Sequence, residues 1–233
     1  MIVNELINDD GQKVSCGWDI RAITDDDKYP FVIIDNYYNE QELKSVWAEL
    51  DFFCNSPVER HRAESTIVAK FKDGSPRSKA YRWYPGNIYS SSDYYPKTIS
   101  SIQNFTYKLR TKQIREAIIK CPPYSRSFIT SNTDNTIINY YDESDHYRAH
   151  HDTVLWTQVT WLYKEPKKFE GGDFDFPESG IEIKLKNNRS VLFPSCYLHR
   201  VSPIKMIEQV NELGWGRWCI TTFISNDGVQ KDA

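Results

Sequence analysis

The chain has 233 residues, 39% of them hydrophobic, and a formal net charge of −3 at pH 7. This length and apolar content predict one substantial core rather than two small domains. The slightly negative charge supplies no overall positive field, so we expect neither a nucleic-acid partner nor a membrane partner.

The cysteines and the first residues indicate the compartment. The five cysteines are odd in number, scattered and without a CxxC spacing, which favours free thiols in a reducing compartment. The opening MIVNELINDDGQ has no basic region followed by an apolar run, and no apolar stretch approaches the roughly 20 residues of a membrane helix. We therefore expect a soluble, cytoplasmic protein.

The N-terminal half predicts a layer of helices and loops. Residues 1–29 are polar and are expected to form a loose lead-in or an edge strand, followed by a helix and loop layer over 30–125. The apolar run PFVIIDNYY at 30–38 predicts a strand. In the following NEQELKSVWAELDFF, Asn39 can cap a helix, with Glu42 three residues later to complete a capping box.

The next stretch has less regular patterning. Residues 54–97 mix tyrosine, arginine, serine and proline without clear periodicity, which predicts a long loop region with short strands. Its part at 70–97, with Arg82 and Trp83, is either a lid over a site or an outer cover of the fold. A second helix is predicted over 98–120, ending before CPP because proline cannot continue a helix.

From about residue 126 the pattern changes to short strands separated by turns. Eight segments have strand character: NTIINYY, HYRAHHD, TQVTWLY, GDFDF, IEIKLK, RSVLFP, YLHRVSP and GRWCITTFIS. They predict a mainly β fold with flanking helices, in which a double-stranded β-helix, or jelly roll, over 126–225 has the N-terminal helical layer outside it. Residues 30–225 are then a single domain, and residues 226–233 a tail.

The sequence HHD places two histidines against a carboxylate. Alternate residues of a strand face the same side, so His150 and Asp152 share a face and His151 points away. A later strand supplies His199. Two histidines and one carboxylate are the facial ligand set of non-haem Fe(II). Zinc can take the same ligands, but the chain has no HExxH sequence for metalloprotease chemistry.

A cation for a co-substrate is predicted on the last strand. If an iron site uses a dicarboxylate, one end binds the metal and the other needs a fixed cation inside the barrel. Arg217, in GWGRWCITTF, immediately precedes an apolar strand. A charged residue at this position is not expected to be an ordinary solvent-exposed surface residue.

These segments resemble, in order from about Pro30 to Ser225, the iron- and 2-oxoglutarate-dependent dioxygenase superfamily, specifically its prolyl-4-hydroxylase-like branch. PFVIIDNYYNEQEL resembles the opening strand and helix of the family, and INYYDESDHYRAHHD its first ligand segment. FEGGDFDFP resembles its EGG turn and strand, RSVLFPSCYLHRVSPI its distal-histidine strand, and GRWCITTFI its closing strand.

The resemblance implies roles for individual residues. It makes His150, Asp152 and His199 the iron ligands. It makes Arg217 the residue that holds the distal carboxylate of 2-oxoglutarate. These four residues form the expected catalytic group.

Three further residues are candidates for the co-substrate pocket. By position in the family pattern, Tyr140 and Tyr163 would line it. The segment KMIEQVNELGWG lengthens the last hairpin, so that Arg217 lies farther from the distal histidine than in the family. Lys205 is therefore an alternative cation.

The resemblance implies a hydroxylase that uses Fe(II), 2-oxoglutarate and O2, and it allows for ascorbate as an additional reductant. The expected substrate is a prolyl residue in a peptide or protein, which would be the partner of the chain. Alternatives are hydroxylation of another side chain or a free amino acid, and a jelly-roll binding protein without turnover. The net charge disfavours a nucleic-acid demethylase. The sequence makes no prediction of oligomeric state.

Overall fold

The computed structural model describes residues 1–7, 13–24, 29–55, 61–62, 70–89, 99–208 and 210–227. Its strands are β1 (Ile2–Ile7), β2 (Lys13–Ile23), β3 (Phe31–Asp35), β4 (His61–Arg62), β5 (Ser78–Lys79), β6 (Tyr81–Trp83), β7 (Thr133–Tyr141), β8 (His146–His150), β9 (Trp156–Leu162), β10 (Phe169–Gly171), β11 (Phe174–Phe176), β12 (Ile181–Ile183), β13 (Arg189–Pro194), β14 (His199–Val201), β15 (Ile204–Met206) and β16 (Arg217–Ser225).

Within this described part the strands form two main sheets. The larger has the order β1-β2-β3-β13-β9-β16-β7-β6-β4, and the smaller the order β12-β11-β14-β8-β5. A short pair, β10 with β15, stands beside them. From β7 onward the chain crosses repeatedly between the sheets: β7, β9, β13 and β16 lie in the larger, and β8, β11, β12 and β14 in the smaller. This is a jelly roll, and all eight predicted strands take part in it, so the predicted fold class is confirmed.

The N-terminal strands extend the larger sheet. β1 pairs with β2, β2 with β3, and β3 with β13, all antiparallel. Trp18 and Ile20 are buried on one face of β2 and alternate with Asp19 and Arg21, which are not buried. The described part of 1–29 is therefore largely strand, as the edge-strand alternative predicts, with β1 at the edge of the larger sheet. The domain boundary expected at residue 30 stays a prediction. Of the expected tail, only Asn226 and Asp227 are described.

Short helices make up the rest of the N-terminal layer. They are α1 (Glu40–Asn55), α2 (Pro85–Ile88), α3 (Ser101–Asn104), a 3-10 helix (Phe105–Arg110), α4 (Lys112–Ile119) and α5 (Ser125–Ile129). The single helix predicted over 98–120 is divided, because Thr106 and Thr111 hydroxyls donate to backbone carbonyls at the junctions. None of the helices in the described segments is long and apolar enough to cross a membrane.

The predicted loop region contains short strands that pair with both sheets. β6 pairs with β7 at the larger sheet, and β5 pairs with β8 at the smaller one. Arg82 and Trp83 therefore belong to a sheet. A lid over the remainder of 70–97 stays a prediction, and positions 90–97 lie outside the described residues.

Strand alternation on β16 sorts side chains between two layers. Trp218, Ile220 and Ile224 belong to the core shared with the helices, together with Leu50 of α1. Arg217 and its alternate neighbours face a cavity between the sheets. The two-residue period thus determines which polar groups enter the interior.

A buried ion pair attaches α1 to the rest of the layer. The capping box predicted at Asn39 and Glu42 is confirmed, since the backbone N–H of each donates to the side chain of the other at 2.8 and 2.9 Å. Glu42 also accepts from Lys108 Nζ, which donates to Tyr37 O at 2.8 Å as well. Lys108 is fully buried, with its ammonium 5.4 Å from the ring centre of Trp18. One lysine thus joins α1, the 3-10 helix and β2.

We predict that Lys108→Met lowers the free energy of unfolding by about 3 kcal/mol, because the buried Glu42 carboxylate loses its cation. Urea unfolding followed by tryptophan fluorescence measures the change. The control is Lys112→Met, which removes an exposed lysine 3.6 Å from Glu116 and should change stability by less than about 0.5 kcal/mol. Equal effects of the two substitutions would contradict the role given to Lys108.

Candidate active site

A cavity of about 290 Å³ lies between the two sheets of the jelly roll. His150, Asp152, His199 and Arg217 all line it. The fold therefore brings together the four residues of the predicted catalytic group, although they come from different strands and turns. Asp152 is the only carboxylate among the described residues of this lining.

The histidines and the aspartate form a compact group. His150 Nε2 lies 3.5 Å from Asp152 Oδ1, and His199 Nε2 lies 3.5 Å from Asp152 Oδ2. One potential ligand atom of each residue lies within 4.8 Å of the others. Metal–N and metal–O bonds of about 2.1 Å allow one ion to bind all three at such separations. The group fits the facial set of two histidines and one carboxylate expected for Fe(II).

Backbone carbonyls orient both imidazoles. His150 Nδ1 lies 2.8 Å from Arg148 O, and His199 Nδ1 lies 2.8 Å from Tyr197 O. Because a carbonyl only accepts, each Nδ1 carries the proton and each Nε2 keeps a free lone pair. Burial lowers the pKa of His199 to about 4, although the Asp152 carboxylate acts to raise it. His199 is therefore neutral at physiological pH, which is the form that binds a metal.

Asp152 is positioned by a turn rather than by a strand. β8 ends at His150, so the predicted alternation applies to His150 and stops before Asp152. The Asp152 N–H donates to Ser195 O at 3.1 Å, and Asp152 Oδ2 accepts from Thr157 Oγ1 at 2.7 Å. His151 is exposed and does not line the cavity, in agreement with its predicted orientation.

Arg217 is fully buried, and none of its three guanidinium nitrogens has a hydrogen-bond partner among the residues that the structure describes. The guanidinium lies 5.0 Å from the ring centre of Tyr141 and 5.4 Å from that of Trp161. A buried cation without a partner is unfavourable, so this arrangement fits an anionic ligand such as the distal carboxylate of 2-oxoglutarate. The alternative cation, Lys205, is exposed on β15 opposite Glu170 and does not line the cavity.

The EGG sequence provides the space for Arg217. Gly171 and Gly172 both have a φ of +74°, which glycine adopts most readily. A Cβ at Gly172 would lie 2.8 Å from Arg217 Cδ and 2.5 Å from Ile204 Cδ1. This turn is therefore part of the wall around Arg217 and not only a connection between strands.

The two tyrosines predicted for the co-substrate pocket do not reach the cavity. Tyr140 packs in the core shared with the helices, and Tyr141 lines the cavity instead. In the pairing of β7 with β16, Tyr141 is opposite Arg217, so both side chains face the cavity. Tyr140 is one residue away on the same strand and therefore faces the opposite side. Tyr163 lies outside the cavity, where its hydroxyl accepts from Asn187 N at 3.1 Å.

The structure adds lining residues that the sequence analysis did not assign to the site. Tyr147 stacks on His150 with ring centres 3.7 Å apart. Arg82 and Asn139 line the cavity from β6 and β7. Burial raises the pKa of Tyr147, so its phenol stays protonated at physiological pH. Because side chains alternate along a strand, Asn139 faces the same side of β7 as Tyr141, and this relation would have identified it as a lining residue.

Comparison with known sequences agrees with this geometry. Residues 136–225 match the family model described as the 2OG-Fe(II) oxygenase superfamily. A PKHD-type hydroxylase of Crocosphaera subtropica (strain ATCC 51142 / BH68) is 30% identical over 86 residues, which cover 32% of this chain. The match covers 39% of that relative, so this chain spans about two fifths of its length.

Comparison with solved structures shows the same fold. A Pseudomonas putida prolyl-4-hydroxylase aligns with a TM-score of 0.52 at 15% identity, over 85% of this chain and 93% of that one. An oxidoreductase of the 2OG-Fe(II) oxygenase family from Burkholderia pseudomallei gives a TM-score of 0.52 at 14% identity, over 84% of each chain. Together with the family match, these likenesses confirm the predicted resemblance to iron- and 2-oxoglutarate-dependent dioxygenases. The expected Fe(II), 2-oxoglutarate and O2 are the cofactors of that superfamily.

We predict that Thr157→Val weakens Fe(II) binding about tenfold, because the Asp152 carboxylate loses the hydroxyl that orients it. Anaerobic calorimetric titration with Fe(II) measures the affinity. The control is Thr160→Val on the same strand, since this buried hydroxyl donates to Ser190 and does not line the cavity. A similar loss in both variants would show that the effect comes from the strand and not from Asp152.

Proposed function

We propose that the chain is an Fe(II)- and 2-oxoglutarate-dependent dioxygenase of the prolyl-4-hydroxylase-like type, which hydroxylates a prolyl residue in a peptide or protein. The observation that carries the proposal is one cavity that holds two side-chain groups. One is the set of two histidines and a carboxylate, and the other is a buried arginine without a hydrogen-bond partner in the described part of the chain. Within the described residues this pairing of metal-ligand side chains with a cation free for an anion matches what a metal ion and a dicarboxylate co-substrate require together.

Each residue of the catalytic group has a distinct role in this proposal. His150 and His199 hold the iron through Nε2, and Asp152 holds it through its carboxylate. Arg217 binds the distal carboxylate of 2-oxoglutarate, which its planar guanidinium can meet with two hydrogen bonds. When bound, Fe(II) supplies the redox chemistry that couples the decarboxylation of 2-oxoglutarate to hydroxylation.

The remaining lining residues keep this group ordered and dry. Thr157 and the backbone carbonyls hold the metal ligands in place before any ligand enters, which reduces the reorganisation on binding. Val159, Phe174, Val201 and Phe223 contribute apolar walls. Excluding water strengthens the interaction of the guanidinium with a carboxylate and protects the oxidising chemistry from side reactions.

Prolyl peptides are the first substrates to test. The sequence resembles the prolyl-4-hydroxylase-like branch, and the chain shares its fold with the Pseudomonas putida prolyl-4-hydroxylase. A shared fold does not specify a substrate, so other side chains and free amino acids belong in the same screen.

We predict that the purified protein converts 2-oxoglutarate to succinate only when Fe(II) is added. His150→Ala should lower this conversion to the level without iron, because one of three metal ligands is lost. His151→Ala is the matched control, since its side chain is exposed and outside the cavity, and it should retain the conversion. Succinate is measured by chromatography. Wild-type protein that binds iron and leaves 2-oxoglutarate unchanged would support a binding protein instead.

We predict that Arg217→Met raises the KM for 2-oxoglutarate by about 30- to 100-fold, because a charge-assisted hydrogen-bond pair to the co-substrate is lost. The unfolding midpoint should not fall, since Arg217 makes no hydrogen bond to a described residue that the substitution could remove. Lys205→Met provides the control for the alternative cation and should leave the KM unchanged. A raised KM in Lys205→Met and not in Arg217→Met would reverse the assignment.

A further inference from the structure

Arg82 is a second buried guanidinium in the cavity. It lies on β6, is 6% exposed and belongs to the lining. Its Nε donates to Asn139 Oδ1 at 2.7 Å, and its Nη2 has no hydrogen-bond partner in the described segments. The amide of Asn139 is neutral, so it orients the guanidinium without neutralising its charge.

The described surroundings of Arg82 do not supply a negative charge. The phenols of Tyr84, Tyr141 and Tyr147 lie around it, and tyrosine is protonated at neutral pH. Among the described residues, Arg82 forms no ion pair, and the one carboxylate in the lining, Asp152, is 3.5 Å from each of two imidazoles. The charge of Arg82 is therefore as unbalanced as that of Arg217.

The proposed cofactors would not balance this second charge. This step rests on the proposed function. A doubly charged iron, the Asp152 carboxylate, a doubly charged 2-oxoglutarate and Arg217 together carry no net charge. Arg82 is the cation that remains, so one further anionic group completes the site.

The position of Arg82 separates it from the site of the co-substrate's distal carboxylate. β6 and β16 flank β7 in the larger sheet, so the two arginines start from strands about 10 Å apart. Arg82 is opposite Asn139 in the pairing of β6 with β7, whereas Arg217 is opposite Tyr141. The two guanidinium groups thus enter the same cavity from two strands of one sheet that β7 separates, and they can serve different ligands.

We propose that Arg82 binds a carboxylate of the primary substrate, so that the residue to be hydroxylated carries a free carboxylate of its own. A free amino acid and the C-terminal residue of a peptide both meet this requirement, and an internal residue of a chain does not. The cavity volume of about 290 Å³ fits the proposal, because it is at the low end for ligand pockets and must also hold the co-substrate. Arg82 is then a residue that determines specificity.

The test uses three matched series of compounds: free L-amino acids, their N-acetyl derivatives, and the amides of those N-acetyl derivatives. Only the last series lacks a carboxylate. Binding is followed anaerobically as a change in the visible absorption band of the protein with Fe(II) and 2-oxoglutarate. We expect at least one acid to perturb the band and its amide to bind about thirtyfold more weakly or worse. A response to free amino acids alone identifies a small-molecule substrate, and a response to the N-acetyl acids identifies a C-terminal residue.

Variants separate substrate binding from co-substrate binding. Arg82→Gln should remove the preference for acid over amide and leave the affinity for 2-oxoglutarate within twofold of wild type. The control is Arg200→Gln, which removes an arginine that pairs with Asp175 outside the cavity and should behave as wild type.

Three results would overturn the role of Arg82. One is equal binding of acids and amides by wild type, and another is no response to any compound although the band forms. The third is a loss of 2-oxoglutarate affinity in Arg82→Gln, which would assign Arg82 to the co-substrate. Absence of the band from wild type would instead contradict the proposed function itself.

Discussion

The unpaired charge of Arg217 is the constraint on which the rest of the site depends. Removing a guanidinium from water is unfavourable unless a partner compensates, and here the described chain offers it aromatic faces and no hydrogen-bond acceptor. The glycines of the EGG turn give it room instead of a partner. This arrangement reserves the interaction for a ligand, and the group of two histidines and a carboxylate in the same cavity indicates which kind of ligand that is.

Lys108 shows what this protein does with a buried cation that serves the fold. Its ammonium is just as buried, but it donates to the Glu42 carboxylate and to a backbone carbonyl. The comparison distinguishes a buried cation that stabilises the fold from buried cations that are available to a ligand. The helix layer satisfies its cation internally, whereas within the described part of the chain the cavity leaves Arg217 without a hydrogen-bond partner and gives Arg82 neutral partners only. The alternation of side chains along β16 keeps the two environments apart, because Trp218 packs toward the helices while Arg217 enters the cavity.

The jelly roll could be predicted from local strand patterns and turn signals. The four residues of the expected catalytic group came from the HHD motif together with the resemblance of the surrounding segments to a known family, since β8 ends before Asp152 and strand alternation alone does not place it. Details that depend on register could not be obtained in this way. Tyr140 was chosen over Tyr141 by counting residues, although only the pairing with Arg217 determines which of them faces inward. Arg82 sits in a stretch without periodicity, and its place in the lining follows from the pairing of β6 with β7, a contact between segments far apart in the chain. The strand character of residues 13–23 was missed although Asp19 and Arg21 alternate there with the buried Trp18 and Ile20, which is the pattern of a half-buried strand.

The central claim is that this cavity is built to bind Fe(II) and 2-oxoglutarate together. The most direct measurement is an anaerobic titration of the wild-type protein with Fe(II), followed by 2-oxoglutarate, monitored by visible absorption. The account predicts a charge-transfer band that appears only when both are present and that saturates at one equivalent of each per chain. Iron binding without any band on addition of 2-oxoglutarate would contradict it, because the buried charge of Arg217 would then have no role in holding the co-substrate at the metal.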